Sequence, residues 1–136
     1  MIRNIIDDYL DDQTKYSSKY GANTIVLYEV GSFFEIYAVP MKPGEKTYAH
    51  RISELLNIIC TRKNKNNPVS RSNPFMAGFP TMYLSKNIDI LIKDYDFTVV
   101  LVEQVTKPPN PKREVTKILS PGTYISENAN TAELSA

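Results

Sequence analysis

The chain has 136 residues, of which 42% are hydrophobic and 23% are charged. This composition is typical of one folded domain with one core and excludes an extensively disordered chain. The formal net charge is +1, which excludes a global basic field, so any affinity for nucleic acid has to come from a local basic patch. The single cysteine, Cys60, excludes an internal disulfide and is consistent with a reducing compartment.

The two ends of the chain differ in character. The N-terminal stretch MIRNIIDDYLDDQ is acidic and periodic, unlike a signal peptide, and no apolar run reaches membrane-spanning length. We therefore expect an intracellular protein without a membrane partner. The small, polar C-terminal stretch predicts a linker over residues 126–136 that leads to a further domain, so the folded domain is expected to span residues 1–125.

In the N-terminal part, a helix is followed by a hairpin. Apolar residues recur at helical spacing and predict an amphipathic helix over residues 2–18. Thr24–Val30 is β-branched and aromatic, which predicts a strand. Gly31 and Ser32 form a two-residue link with glycine first, typical of a type II′ hairpin turn. Phe33–Val39 is the predicted partner strand.

The remaining elements alternate unevenly between helix and strand. Helical stripes predict helices over Thr47–Asn57 and Leu84–Tyr95, and loop-forming residues run through Thr61–Pro74. Phe97–Val105 is nearly all apolar, as expected of a strand that is covered on both faces, and Glu114–Leu119 is a last strand. The pattern predicts an α/β fold with a mixed β-sheet that contains a hairpin and is flanked by helices.

In the strand after the hairpin turn, two adjacent phenylalanines point to opposite faces of the sheet. Side chains alternate across a strand, so Phe33, Glu35 and Tyr37 share one face, whereas Phe34 lies on a uniformly apolar face and belongs to the core. The first face is predicted to meet solvent or a ligand. Phe33 then has two interpretations. It covers the edge of the core beside a solvated glutamate, or it stacks on or wedges between bases, with Glu35 at a base edge.

A basic segment favours the second interpretation. No acidic residue lies between Glu54 and Asp89. Five basic residues fall in the same segment: Arg62, Lys63, Lys65, Arg71 and Lys86. A charge run is usually a solvated loop, but a positive loop without carboxylates is also what phosphate contacts require. The segment, with Lys65 among its candidate contacts, therefore indicates a nucleic-acid partner.

Five short stretches follow one another in an order typical of one protein family. They are VGSFFEIY, LLNIICTR, PFMAGFP, VVLVEQV and REVTKILSPGTYI. They fall within residues 16–125 and resemble the N-terminal mismatch-recognition domain, domain I, of the MutS family of DNA mismatch-repair proteins. VGSFFEIY is similar to that family's Gly-x-Phe-Tyr-Glu-Leu hairpin, and PFMAGFP to its Pro-Met-Ala-Gly-x-Pro turn.

The resemblance implies a role for each matching residue. Phe33 matches the phenylalanine that wedges beside a mispaired or unpaired base from the minor-groove side, and Glu35 matches the glutamate that hydrogen-bonds the displaced base. This bond has two forms: the ionised carboxylate accepts from a base N–H, or a proton is shared with a base nitrogen. Met76 matches a methionine in a turn close to the DNA. Arg62 and Lys63 match basic residues beside the DNA backbone.

The resemblance also implies partners and cofactors. The partner is double-stranded DNA with mismatches or small loops, and the protein is located where that DNA is. A full-length family protein is a homodimer or heterodimer that binds ATP and Mg²⁺ through a separate C-terminal ATPase domain. No cofactor is expected in the domain described by this sequence.

Two other classes of function remain open at this point. An enzyme is disfavoured because His50 is expected to be a surface or capping residue, Cys60 has no obvious base partner, and neither a metal-ligand cluster nor a phosphate-binding loop is present in the sequence. A protein-interaction module would use the hairpin as a docking edge. A family member that binds branched or single-stranded DNA is the other alternative, which the Phe33-x-Glu35 pair disfavours.

Overall fold

A computed structural model of the chain describes residues 4–124. The predicted linker over residues 126–136 lies outside the described residues. The elements in chain order are α1 (Ile5–Tyr20), β1 (Thr24–Val30), β2 (Phe33–Ala38), α2 (Tyr48–Leu56), β3 (Cys60–Arg62), β4 (Phe75–Pro80), a 3₁₀ turn (Thr81–Tyr83), α3 (Leu84–Asp89) with a π-helical extension (Ile90–Asp94), β5 (Thr98–Gln104) and β6 (Arg113–Leu119).

The strands form one six-stranded mixed sheet in the order β3-β4-β2-β1-β5-β6. β1 and β5 are parallel, and the other neighbouring pairs are antiparallel. The predicted α/β fold, with a hairpin inside a mixed sheet flanked by helices, is confirmed. No helix within residues 4–124 has the length and apolar character needed to cross a membrane.

Helix α1 starts at a reciprocal cap and packs on one face of the sheet. The Asn4 side chain accepts a hydrogen bond from the Asp7 backbone N–H at 3.0 Å, and the Asp7 carboxylate accepts one from the Asn4 N–H at 3.5 Å. Further along, the buried Gln13 amide donates to the Thr24 carbonyl and accepts from the Val26 N–H, both at 2.8 Å. This side chain satisfies backbone groups of β1 beyond the stretch that pairs with β2.

The main core lies under the opposite face of the sheet. Phe34 is buried there and stacks on Phe79, with ring centroids 6.1 Å apart, which confirms it as the core phenylalanine. Ile52 of α2 and Leu91 after α3 are fully buried in the same cluster. The middle of β5, Val99–Val102, is at most 3% exposed, so the prediction of a strand covered on both faces is also confirmed.

The prediction of loop structure throughout Thr61–Pro74 is wrong at its start. Cys60–Arg62 forms the short strand β3, which pairs antiparallel with β4, and Phe75–Pro80, to which no element was assigned, is β4. A three-residue strand shows no period of its own, so it becomes recognisable only when its partner is known. β4 matters for function because it lies beside β2 and therefore beside Glu35.

Candidate nucleic-acid interface

The hairpin presents Phe33 at the edge of the sheet. Gly31 has φ +61°, a conformation that glycine adopts without steric cost, and Val30 pairs with Phe33 across the two-residue turn. As the first residue of β2, Phe33 is 44% exposed although it is a large apolar side chain. The predicted exposed aromatic at the turn is therefore present.

The turn is held from both neighbouring strands. On the β5 side, the Gln104 side chain accepts from the Gly31 N–H at 3.0 Å and donates to the Gly31 carbonyl at 3.1 Å. On the β4 side, the Thr81 N–H donates to the Ser32 carbonyl at 2.9 Å. Three hydrogen bonds thus position the two turn residues, which limits the directions in which Phe33 can point.

Glu35 lies two residues further along the same face and is half-buried. The Tyr37 hydroxyl donates to Glu35 Oε1 at 2.5 Å. Burial, together with this hydrogen bond and the nearby Glu35 charge, raises the pKa of Tyr37 well above its usual range. The hydroxyl therefore stays protonated and acts as a donor.

Tyr37 itself does not face solvent or a ligand, contrary to the prediction for its strand face. It is 5% exposed because α1 crosses this part of the sheet, and the Tyr9 ring packs edge-on against it with centroids 5.4 Å apart. The open part of this face is therefore its turn end, where Phe33 and Glu35 lie.

Gly78 of β4 is the direct cross-strand partner of Glu35. A Cβ at this position would lie 3.2 Å from Glu35 Cγ and 2.9 Å from the Phe34 carbonyl oxygen. Because Gly78 has no side chain, the aliphatic part of the Glu35 side chain has room to lie beside it. Sequence reasoning missed this role; the available signal was an isolated glycine inside an apolar stretch, which indicates close approach of another chain segment.

The four predicted DNA-contact residues outside the hairpin come together. Arg62, Lys63, Lys65 and Met76 line one open cleft of about 1020 Å³ between β3, β4 and the loop that joins them. The Arg62 guanidinium donates to the Lys65 carbonyl at 2.6 Å, and the lysine side chains are exposed. Met76 does not lie in a turn, as the resemblance implied, but on β4, because the segment pairs with both β2 and β3.

Asn73 organises the loop over this cleft. Its buried side-chain amide donates to the carbonyls of Asn64, Asn67 and Pro68 at 2.9 to 3.1 Å, and its oxygen accepts from the Asn64 N–H at 2.7 Å. With its two N–H groups shared among three carbonyls, this one side chain contacts four backbone groups of a segment without regular structure. The sequence offered no signal that separates Asn73 from the other asparagines around it.

Arg71 belongs to the same loop but points away from the cleft. Its guanidinium forms ion pairs with Asp7 at 2.8 Å and Asp11 at 3.4 Å, both on α1. The loop is therefore attached to the helix by one of its cations, while Lys63 and Lys65 remain exposed at the cleft.

Phe33, Glu35 and Met76 project to the same face of the sheet. Phe33, Glu35 and Tyr37 pair across β2 and β4 with Pro80, Gly78 and Met76 in that order. Paired residues project to the same face, and alternate residues are about 7 Å apart along a strand. Met76, which also lines the basic cleft, therefore lies about 7 Å further along this face than Glu35 and next to the buried Tyr37.

The residues weighed for the enzyme alternative are His50 and Cys60, together with any metal-ligand group. Among residues 4–124 no group of three or more His, Cys, Asp or Glu side chains could hold a metal ion. The predicted capping role of His50 is confirmed, since its Nδ1 accepts from the Thr47 N–H at 3.0 Å and its ring packs on Phe75. Burial raises the pKa of the Cys60 thiol, which disfavours a reactive thiolate.

Comparisons with known proteins place the chain in a family. The profile of the family described as MutS domain I matches residues 12–128. A DNA mismatch repair protein mutS homolog from Acanthamoeba polyphaga mimivirus is 33% identical over 88% of the chain and 10% of its own length. The DNA mismatch repair protein MutS of Petrotoga mobilis is 32% identical over 90% of the chain, and that of Streptococcus gordonii 28% identical over 94%.

The chain spans 10% to 14% of the length of these relatives. The family profile nevertheless covers most of the chain, from the middle of α1 past the end of β6. The chain belongs to the MutS domain I family.

Proposed function

We propose that this domain acts in DNA mismatch repair by recognising mispaired or unpaired bases in duplex DNA. The observation that carries the proposal is the exposed Phe33 on a turn held from two sides, with Glu35 next to it on the same face. In this proposal the domain binds DNA and performs no catalytic step. Its place is inside the cell, where the DNA is.

Recognition in this proposal depends on the deformability of the DNA. Inserting an aromatic wedge from the minor-groove side unstacks a base step, which costs a few kcal/mol, and kinks the duplex. At a mispair or an extra base the stack is already weakened, so the same kink costs less. Phe33 discriminates through this difference in deformation energy, and its stacking contact contributes roughly 1–3 kcal/mol.

Glu35 adds selectivity through a hydrogen bond to the displaced base. A carboxylate near DNA phosphates is repelled, and this repulsion penalises a matched duplex, in which no base is displaced to offset it. Glu35 therefore weakens binding to paired DNA more than binding to a mispair.

The basic cleft supplies phosphate contacts beside the wedge. Lys63 and Lys65 are exposed at the cleft, and Met76 of the same cleft shares a face of the sheet with Phe33 and Glu35. Lysine contacts to phosphates add affinity that does not depend on base sequence, and they fix the orientation of the domain on the duplex.

The remaining functions belong to a longer protein. We propose that this domain is one part of a MutS-type ATPase that works as a homodimer or heterodimer, with ATP and Mg²⁺ bound by another domain. The large difference in length between the chain and its relatives supports this proposal.

Replacing Phe33 with alanine in the full-length protein tests the proposal. The preference for a duplex with one unpaired base over the matched duplex should fall about tenfold to a hundredfold, because one base–aromatic contact of roughly 1–3 kcal/mol is lost. Tyr95→Ala is the matched control, since Tyr95 is 40% exposed but lies outside the hairpin and the cleft. A wild-type protein without any mismatch preference would refute the proposed function.

A protein-interaction module is the second candidate, and the edge strand β6 favours it. Val115 and Ile118 of β6 are each 39% exposed, and an unpaired strand edge can accept a further strand. Salt dependence separates the two functions. Phosphate contacts give an affinity that falls steeply with salt, and Lys65→Ala should reduce the slope by about 1. Binding to a protein partner through a hydrophobic edge lacks this slope.

A further inference from the structure

In the hydrogen bond between Tyr37 and Glu35, the donor is the Tyr37 hydroxyl, and its position is restrained. The Tyr37 ring is buried against Tyr9, and the Tyr9 hydroxyl in turn donates to the Val26 carbonyl at 2.8 Å. The Tyr48 hydroxyl donates to the Tyr37 backbone carbonyl. Both ends of Tyr37 are therefore fixed by α1, α2 and the sheet, and its hydroxyl has one position from which to donate.

The acceptor is restrained as well. The Glu35 stem lies over Gly78, where even a methyl group would come within 3.2 Å of Glu35 Cγ, and its Oε1 is bound by the Tyr37 hydroxyl. Within residues 4–124 no hydrogen bond reaches Oε2. A glutamate on a strand normally samples several rotamers, but here the glycine sets the path of the stem and the hydroxyl sets the position of the tip.

We propose that Tyr37 is a positioning residue that holds the Glu35 carboxylate so that Oε2 points to the displaced base as a hydrogen-bond acceptor. An ionised carboxylate only accepts, and Tyr37 occupies one of its two oxygens. Oε2 then remains to accept from a base N–H, and the imino group of an unpaired thymine offers such a donor for a test. This inference rests on the proposed function and assigns the residue that orients its glutamate.

A simpler role for the same contact is to satisfy a buried tyrosine hydroxyl. The two roles differ in whether the effect of the Tyr37 hydroxyl on DNA binding depends on the Glu35 carboxylate. A structural hydroxyl contributes to folding whatever Glu35 does on DNA, whereas a positioning hydroxyl acts only through the Glu35 carboxylate. A double-mutant cycle separates them.

The test measures the affinity of the full-length protein for a duplex with one unpaired thymine and for the matched duplex at constant salt. Tyr37→Phe should lower the ratio of the two affinities about tenfold, the lower end of what one hydrogen bond to a charged group contributes. In a Glu35→Ala background, Tyr37→Phe should change the ratio less than about twofold, because no carboxylate remains to be positioned.

Tyr28→Phe is the matched control. Tyr28 is the cross-strand partner of Glu35 in β1, it is buried, and its hydroxyl also donates to a carboxylate, that of Asp12 on α1. This variant should lose thermal stability like Tyr37→Phe and keep the affinity ratio. Thermal unfolding of each variant without DNA shows that the compared proteins are folded.

The outcomes are distinguishable. If the wild type prefers the unpaired thymine and Tyr37→Phe keeps the full preference, the positioning role is wrong and the proposed function stands. Equal effects of Tyr37→Phe with and without Glu35 also overturn the positioning role. A wild type that does not distinguish the two duplexes overturns the proposed function together with this inference.

Discussion

The hairpin turn that carries Phe33 and the basic loop that carries Lys63 and Lys65 are held by different kinds of contact. The turn is fixed by Gln104, which is 73 residues away in the sequence, and by Thr81 on the other side. The loop is held mainly by its own residue Asn73, whose side chain forms hydrogen bonds with backbone groups up to nine positions away.

This difference matches the work proposed for each region. A wedge has to push bases apart, so it needs a support that does not yield, and the sheet provides it. A phosphate contact needs a positive charge near the DNA backbone but tolerates movement, because Coulombic attraction is not strongly directional. Disturbing the turn should therefore change selectivity, whereas disturbing the loop should change affinity.

The largest expected effect on stability comes from a core substitution in the sheet that supports both regions. Phe34→Ala should lower the free energy of unfolding by about 3–5 kcal/mol, because it opens a cavity beside Phe79. The same change at Phe33 should cost less than about 0.5 kcal/mol, since that side chain is exposed. Denaturant unfolding measures both, and equal losses at the two positions would contradict the placement of Phe34 in the core and Phe33 on the surface.

A smaller effect is expected in the basic loop. Asn73→Ala leaves four backbone groups without their buried partner and should lower the free energy of unfolding by about 2 kcal/mol. Binding to matched and mismatched DNA should weaken by the same factor, because only the region proposed to contact phosphates is loosened. Asn66→Ala, an exposed position in the same loop, is the control. A selective loss of mismatch binding would show that the loop also contacts bases.

The smallest effect on stability is expected at the turn. Gln104→Ala should cost about 1 kcal/mol of folding free energy, because its two hydrogen bonds to Gly31 are largely exposed. The mismatch preference should nevertheless fall, with the affinity for matched DNA unchanged. Gln104→Glu keeps the acceptor for the Gly31 N–H and loses the donor, so it should give an intermediate preference. Unchanged preference in both variants would mean that the turn does not need this support.

Local patterns in the sequence predicted those features of the site that depend on residues close together in the chain. The two-residue turn, the alternation that separates Phe33 from Phe34, and the basic segment without carboxylates all follow from short stretches. The resemblance to the MutS family added the roles of Phe33, Glu35 and Met76. The alternation alone was misleading at Tyr37, because it shows which residues share a face but not where a helix covers that face.

By itself the sequence determined the fold class, the orientation of the hairpin strand and the identity of the exposed aromatic. Only the tertiary structure decided that Gln104 holds the turn, that Gly78 makes room for Glu35, and that Tyr37 holds its carboxylate. The physical reason is the order of strands in the sheet. β2 lies between β1 and β4, and β1 lies beside β5, so contacts across the sheet join residues that are far apart in the chain.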